Sequence, residues 1–87
     1  MVVEMMNEHP EIKIALKGHT DNVGNAVLNL ELSRERVKAV ESYLISQGIQ
    51  DARISGEGYG GNQPIASNDK EETRRLNRRV EFEIKKN

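Results

Sequence analysis

Two stretches of this chain carry an apolar residue at every second position, and they stand toward its opposite ends. Ile12, Ile14 and Leu16 alternate with Lys13, Ala15 and Lys17, and Val80, Phe82 and Ile84 alternate with Glu81, Glu83 and Lys85. Side chains on a strand point to alternate faces, so each stretch reads as a strand with one buried face. Helix-like segments lie between them. The strands are therefore joined by crossovers, and at least part of the pairing is parallel.

The intervening chain supplies the other elements. Val2, Val3, Met5 and Met6 fall at helical spacing, so the segment from Met1 to His9 reads as a short helix, which Pro10 discourages from continuing. Gly18 is expected to end the first strand. Residues 18–29 read as a polar connector, and Ser33 as the N-cap of a helix whose stripe is Val37, Val40 and Leu44, with Ala39 and Tyr43 beside it. Gly48 stands where a left-handed cap residue belongs, and Ile49 supplies the apolar contact that follows such a cap. Ile54 begins a short strand that opens into Gly56, Gly58, Gly60 and Gly61. Asp69 with Glu72 resembles a capping box before a short helix over Lys70 to Leu76.

At 87 residues the chain is read as one domain, 1–87, burying only about 60% of its unfolded surface. Thirteen basic against fourteen acidic residues leave no basic stripe for nucleic acid, and two Tyr, one Phe and no Trp make no base-stacking platform. No apolar run reaches the roughly 20 residues of a membrane span, so no direct insertion by this chain is expected. No signal peptide precedes Met1, so targeting is expected to lie outside this chain. Without cysteine there are no disulfides.

The connector is unusually specified. His19, Thr20, Asp21 and Asn22 lie between Gly18 and Gly24, after a strand and before a helix, where crossover folds commonly place ligands. With the helix starting at Ser33, Arg36 falls in its first turn, where a cation gains nothing from the helix dipole. A carboxylate at Asp21 and a guanidinium at Arg36 match a zwitterion. The bland alternative is a turn aspartate plus a surface arginine. No serine or cysteine nucleophile is signalled, two histidines make a poor metal site, and His19 reads as bracing its own turn. The glycines after Ile54 lack the Lys-Ser or Lys-Thr pair of a phosphate loop. No enzyme and no cofactor is expected.

Taken together, Gly-His-Thr-Asp-Asn-Val-Gly at 18–24, Asn29, Leu32-Ser33-x-x-Arg36-Val37, Arg53-Ile54-x-x-x-Gly58-Tyr59-Gly60, Pro64-Ile65-Ala66-x-Asn68 and Asn77-Arg78-Arg79-Val80-Glu81-Phe82 resemble the OmpA-like (OmpA/MotB/Pal) peptidoglycan-binding domain. The resemblance runs from about Val2 to Ile84. It implies an α+β or α/β two-layer sandwich, a mixed sheet of about three strands with helices on one face. By position it implies that Asp21 takes the amine and Arg36 a carboxylate of diaminopimelate, with Asn29 lining the pocket, Arg78 approaching the ligand, and Asn22 and Leu32 at its border. At most one of Arg78 and Arg79 is expected to face the pocket.

The implied function is non-covalent binding of the peptidoglycan stem peptide. It would anchor an envelope protein in the periplasm, held at the outer membrane by other parts of the parent. The alternative is a structural or assembly domain with a degenerate pocket. Lys70 and Thr73 depart from the family pattern in a surface turn. The family's first strand and the first half of a helix normally precede the segment that begins here at Met1, and the expectation is that this chain lacks them. The expected compensation is a homodimer through the exposed sheet edge, an element swap or a repacked sheet.

Overall fold

The computed structural model describes residues 2–86; Met1 lies outside them. The elements in order are α1 (Val2–Glu8), β1 (Ile12–His19), α2 (Ala26–Ser46), a 3₁₀ turn (Asp51–Arg53), β2 (Ile54–Gly58), α3 (Glu71–Arg74) and β3 (Arg79–Lys86). The strands form one mixed sheet in the order β2-β1-β3. β1 runs parallel to β2, with Ile14 beside Ile54 and Gly18 beside Gly58. It runs antiparallel to β3, with Ile14 beside Ile84 and Leu16 beside Phe82. The mixed three-stranded sheet with α2 on one face is the architecture expected from the sequence.

Ile12, Ile14 and Leu16 point from β1 to the helix side, where Val37, Leu44, Ile49, Ile54 and Met6 close over them. Each such side chain contributes about 1.5–3 kcal/mol by leaving water. α2 lies over β1 and β2. It reaches them because the strands are glycine-lined there: a Cβ on Gly18 would stand 2.5 Å from the Ser33 carbonyl oxygen, and one on Gly58 2.6 Å from Ser33 Oγ. Gly18 therefore serves close approach, not an unusual backbone angle, and β1 continues through it to His19.

Two helices differ in their bounds from the sequence expectation. α2 begins at Ala26, and its N-cap is Asn25, whose side chain accepts from the N–H groups of Val27 and Leu28. Ser33 lies inside the helix, fully buried, donating to Leu30 O at 2.7 Å and accepting from Gly60 N at 3.0 Å. It is a tertiary tie, not a cap. Arg36 is consequently about three turns into the helix, so the first-turn dipole argument does not apply to it. α3 is only Glu71–Arg74, capped at Lys70 without a side-chain bond, so Asp69 and Glu72 form no capping box.

The other end of α2 agrees with expectation. Gly48 has φ +92°, Gly48 N bonds Ile45 O, and Ile49 N bonds Leu44 O at 3.1 Å, the paired bonds of a Schellman cap. Ala39 and Tyr43, expected beside the buried stripe, are exposed. Just before β2, the Arg53 guanidinium donates to the carbonyls of Met6, His9 and Ile12 at 2.8–3.1 Å, tying α1 and the start of β1 to the sheet.

Candidate functional site

The loop after β1 is built around Asp21. Its Oδ1 accepts from Val23 N at 3.0 Å, an Asx-type turn that holds the loop without a ligand. Thr20 Oγ1 donates to Asp21 O at 2.8 Å, and Asn29 Nδ2, from the first turns of α2, donates to Val23 O at 3.0 Å. The second carboxylate oxygen, Oδ2, faces Arg78 Nη1 at 3.5 Å. Asp21 is thus mostly enclosed, with one oxygen engaged in its turn and the other in a loose ion pair.

Arg78 also pairs with Glu71. That hydrogen bond pulls the Glu71 carboxyl below the usual carboxylate range and holds the Arg78 proton more tightly than usual. Arg78 lies just before β3, so the two-face argument for strand neighbours does not bind it to Arg79. Arg79 is turned to Glu81, 2.6 Å from its Nε, and to the carbonyls of Asn77 and Gln63.

Arg78 borders a groove of about 620 Å³ between α2 and the start of β3. Arg36, Ala39 and Val40 form one wall; Arg75, Arg78, Arg79 and Val80 form the other. Four arginines border it. Arg78 and Arg79 are paired with acids, while among the described residues Arg36 and Arg75 make no side-chain hydrogen bond or ion pair. The groove suits a carboxylate, which guanidinium groups grip through two parallel bonds.

The sequence-derived residues divide between this groove and a second place. Arg36 and Arg78 line the groove, and Asp21 reaches it through Arg78 without pairing directly with Arg36. Asn22 and Asn29 line a separate hollow of about 260 Å³ by the start of α2. Leu32, 39% exposed, lines neither, although it lies one helical turn from Arg36 on the same side of α2.

Sequence reasoning passed over the groove residues Arg75, Val40 and Val80, and also Glu71, which positions Arg78. Spacing marked Val40 and Val80 only as core-facing positions of a helix and a strand, because a groove wall joins a helix to a strand far away in sequence. It also passed over Asn77, fully buried, whose amide binds Ile65 N, Ala66 N, Ala66 O and Asn68 Oδ1 and so shapes the loop before α3. His19 does not brace a turn. It ends β1 on the helix-free face, fully buried, stacked on Tyr59 with ring centres 5.4 Å apart.

Comparison with known proteins places this geometry in a wider group. The sequence model of the OmpA family matches residues 1–78. The chain is 37% identical over 84 residues to outer membrane porin F of Pseudomonas aeruginosa, which covers 95% of this chain and 24% of the porin. It is 37% identical over 83 residues to the peptidoglycan-binding protein ArfA of Mycobacterium tuberculosis, over 95% of this chain and 26% of ArfA. The crystal structure of the peptidoglycan-associated lipoprotein from Burkholderia pseudomallei superposes with a TM-score of 0.92 at 28% identity, over 97% of this chain and 71% of that one. The chain thus spans about a quarter of the length of these two curated relatives.

Proposed function

The chain belongs to the OmpA family, and from that premise we propose that it is a non-catalytic module binding the diaminopimelate of peptidoglycan stem peptides. Its task is to hold an envelope protein of the periplasm, attached to the outer membrane by other parts of the parent, to the cell wall. The observation that carries this reading is the groove in which Arg36 and Arg75 lack acidic partners while Arg78 leads to Asp21. A ligand carboxylate fits Arg36. A ligand ammonium group replaces the loose Arg78 contact at Asp21 Oδ2. The relatives named for peptidoglycan, ArfA and the peptidoglycan-associated lipoprotein, support the assignment.

Two variants test it without disturbing the fold. Arg36→Ala removes a side chain that makes no hydrogen bond or ion pair among the described residues. Asp21→Asn keeps an oxygen for Val23 N but removes the charge. Each is expected to weaken co-sedimentation with purified cell wall about tenfold or more, through lost charge-assisted bonds. Wall binding unchanged in both variants would sink the reading.

A second reading, assembly through protein contacts, is favoured by one observation. Phe82 is 42% and Ile84 50% exposed on the helix-side face of β3, whose outer edge pairs with no strand among the described residues. A second copy of β3, antiparallel with Phe82 opposite Ile84, would put Glu81 opposite Lys85 twice. Lys17, 2.6 Å from Glu83, already offsets the central acidic pair. Light scattering over a concentration series tests this homodimer: a mass that rises to twice the monomer and reverts in Phe82→Lys supports it, and a constant monomer mass refutes it.

A further inference from the structure

The hollow beside the start of α2 differs in chemistry from the arginine groove. Its walls are Asn22 and Asn29, the side chains of Val27 and Leu30, and Tyr59 with the Gly60-Gly61-Asn62 turn. Lys, Arg, Asp, Glu and His are all absent from the lining, in a chain where 31% of residues are charged. It is not an anion site at a helix start either: Asn25 Oδ1 already takes the N–H groups of Val27 and Leu28.

The hollow instead offers unused amide groups. The side chains of Asn22 and Asn62 have no hydrogen-bond partner among the described residues. Asn29 uses its Nδ2 on Val23 O and Asp21 O, which leaves its Oδ1 free to accept. Each free amide presents both donor and acceptor, the complement of an acetamido group or a hydroxyl pair. Val27, 65% exposed, adds an apolar wall. A volume of about 260 Å³ is below the roughly 300–1,000 Å³ of drug-sized sites, so it fits one compact group.

We propose that this hollow is a second ligand subsite, for a neutral N-acetylated sugar residue. The inference rests on the wall-binding reading above and extends it from the peptide to the glycan. Asn29 and Arg36 are seven residues apart on α2, about 10 Å along its axis. One wall fragment can therefore place a sugar in the hollow and a charged peptide end in the groove.

The test is amide-resolved NMR on the isotopically labelled chain with two separate probes, a peptide-free tetrasaccharide of N-acetylglucosamine and free diaminopimelate. The tetrasaccharide is expected to shift Asn22, Leu30, Gly61 and Asn62 at millimolar concentration and to leave Arg36 and Arg78 in place. Val27→Arg, at an exposed position, fills the hollow and is expected to weaken these shifts at least about tenfold while diaminopimelate shifts persist. The subsite is overturned if the tetrasaccharide moves no resonance around the hollow, or moves them equally in Val27→Arg. Failure of diaminopimelate alone, with the sugar response intact, removes the peptide reading and leaves the subsite standing.

Discussion

Ile14 and Ile84 stand directly opposite each other on the same face of the same sheet, yet Ile14 is 1% exposed and Ile84 50%. The β1–β2 half is sealed because Gly18, Gly56 and Gly58 remove the side chains that would hold α2 away. The β3 half has the apolar residues for a core, but among the described residues no helix covers it at Phe82 and Ile84. Alternation tells which way a side chain points; it does not tell whether anything lies over it. The uncovered half is also where the arginine groove opens, so in this fold the region with the less complete core is the one accessible to a ligand.

Paired truncations should break this contrast if it is wrong. Ile14→Ala is expected to cost about 2–5 kcal/mol, and Ile84→Ala, its cross-strand neighbour, less than about 1 kcal/mol. Urea denaturation of both measures this, and equal losses would mean that β3 is covered in solution. Gly58→Val tests the other half of the argument. It drives a side chain against Ser33 and Arg34 and should cost about 1–3 kcal/mol, by the same measurement.

A pH-dependent effect belongs to the seam between the halves, at His19. Both ring nitrogens are buried without a hydrogen-bond partner among the described residues. Burial first, then Arg79, pushes the imidazole pKa below its ordinary 6.5; Lys17 acts in the same direction, and Glu81, 3.5 Å away, against it. Tyr59 covers the ring. A base whose folded pKa is depressed takes up its proton more readily in the unfolded chain. Its contribution is complete above 6.5 and declines as pH falls below that value, at no more than about 1.4 kcal/mol per pH unit. Between 6.5 and the ordinary carboxylate value of 4.5, the depressed Glu71 and Glu83 contribute little to this slope. Thermal melts across this window should show lower stability at the acid end, and His19→Phe should flatten the trend.

What was legible in the sequence was what local chemistry determines. Gly48 and Ile49 carry the Schellman cap within a few residues of the bonds they make. Both alternating strands were visible because their period is two. Asp21, Arg36 and Arg78 emerged from a family pattern running through the chain, and two of the three line one groove. The start of α2 was hidden for a physical reason. Asn25 and Ser33 are equally good N-cap types. The first turns also carry Val27 and Leu28, 65% and 63% exposed, which blur the amphipathic stripe. What makes Ser33 an interior residue is its bond with Gly60 N, a contact across 27 residues that no local spacing reveals. The asparagine-lined hollow was hidden likewise, because Tyr59-Gly60-Gly61-Asn62 meets Asn22 and Asn29 only after the crossover is complete.

The three carbonyls held by Arg53 imply an order of assembly. A seven-residue helix does not persist alone in water, and the clasp on α1 and the strand after it comes from 41 to 47 residues further along. Such a clasp closes only after the parallel crossover has formed. The N-terminal helix is therefore expected to acquire native structure after the crossover and to exchange its amide protons early, held by the burial of Met6 and by a guanidinium that is distant in sequence but adjacent in space.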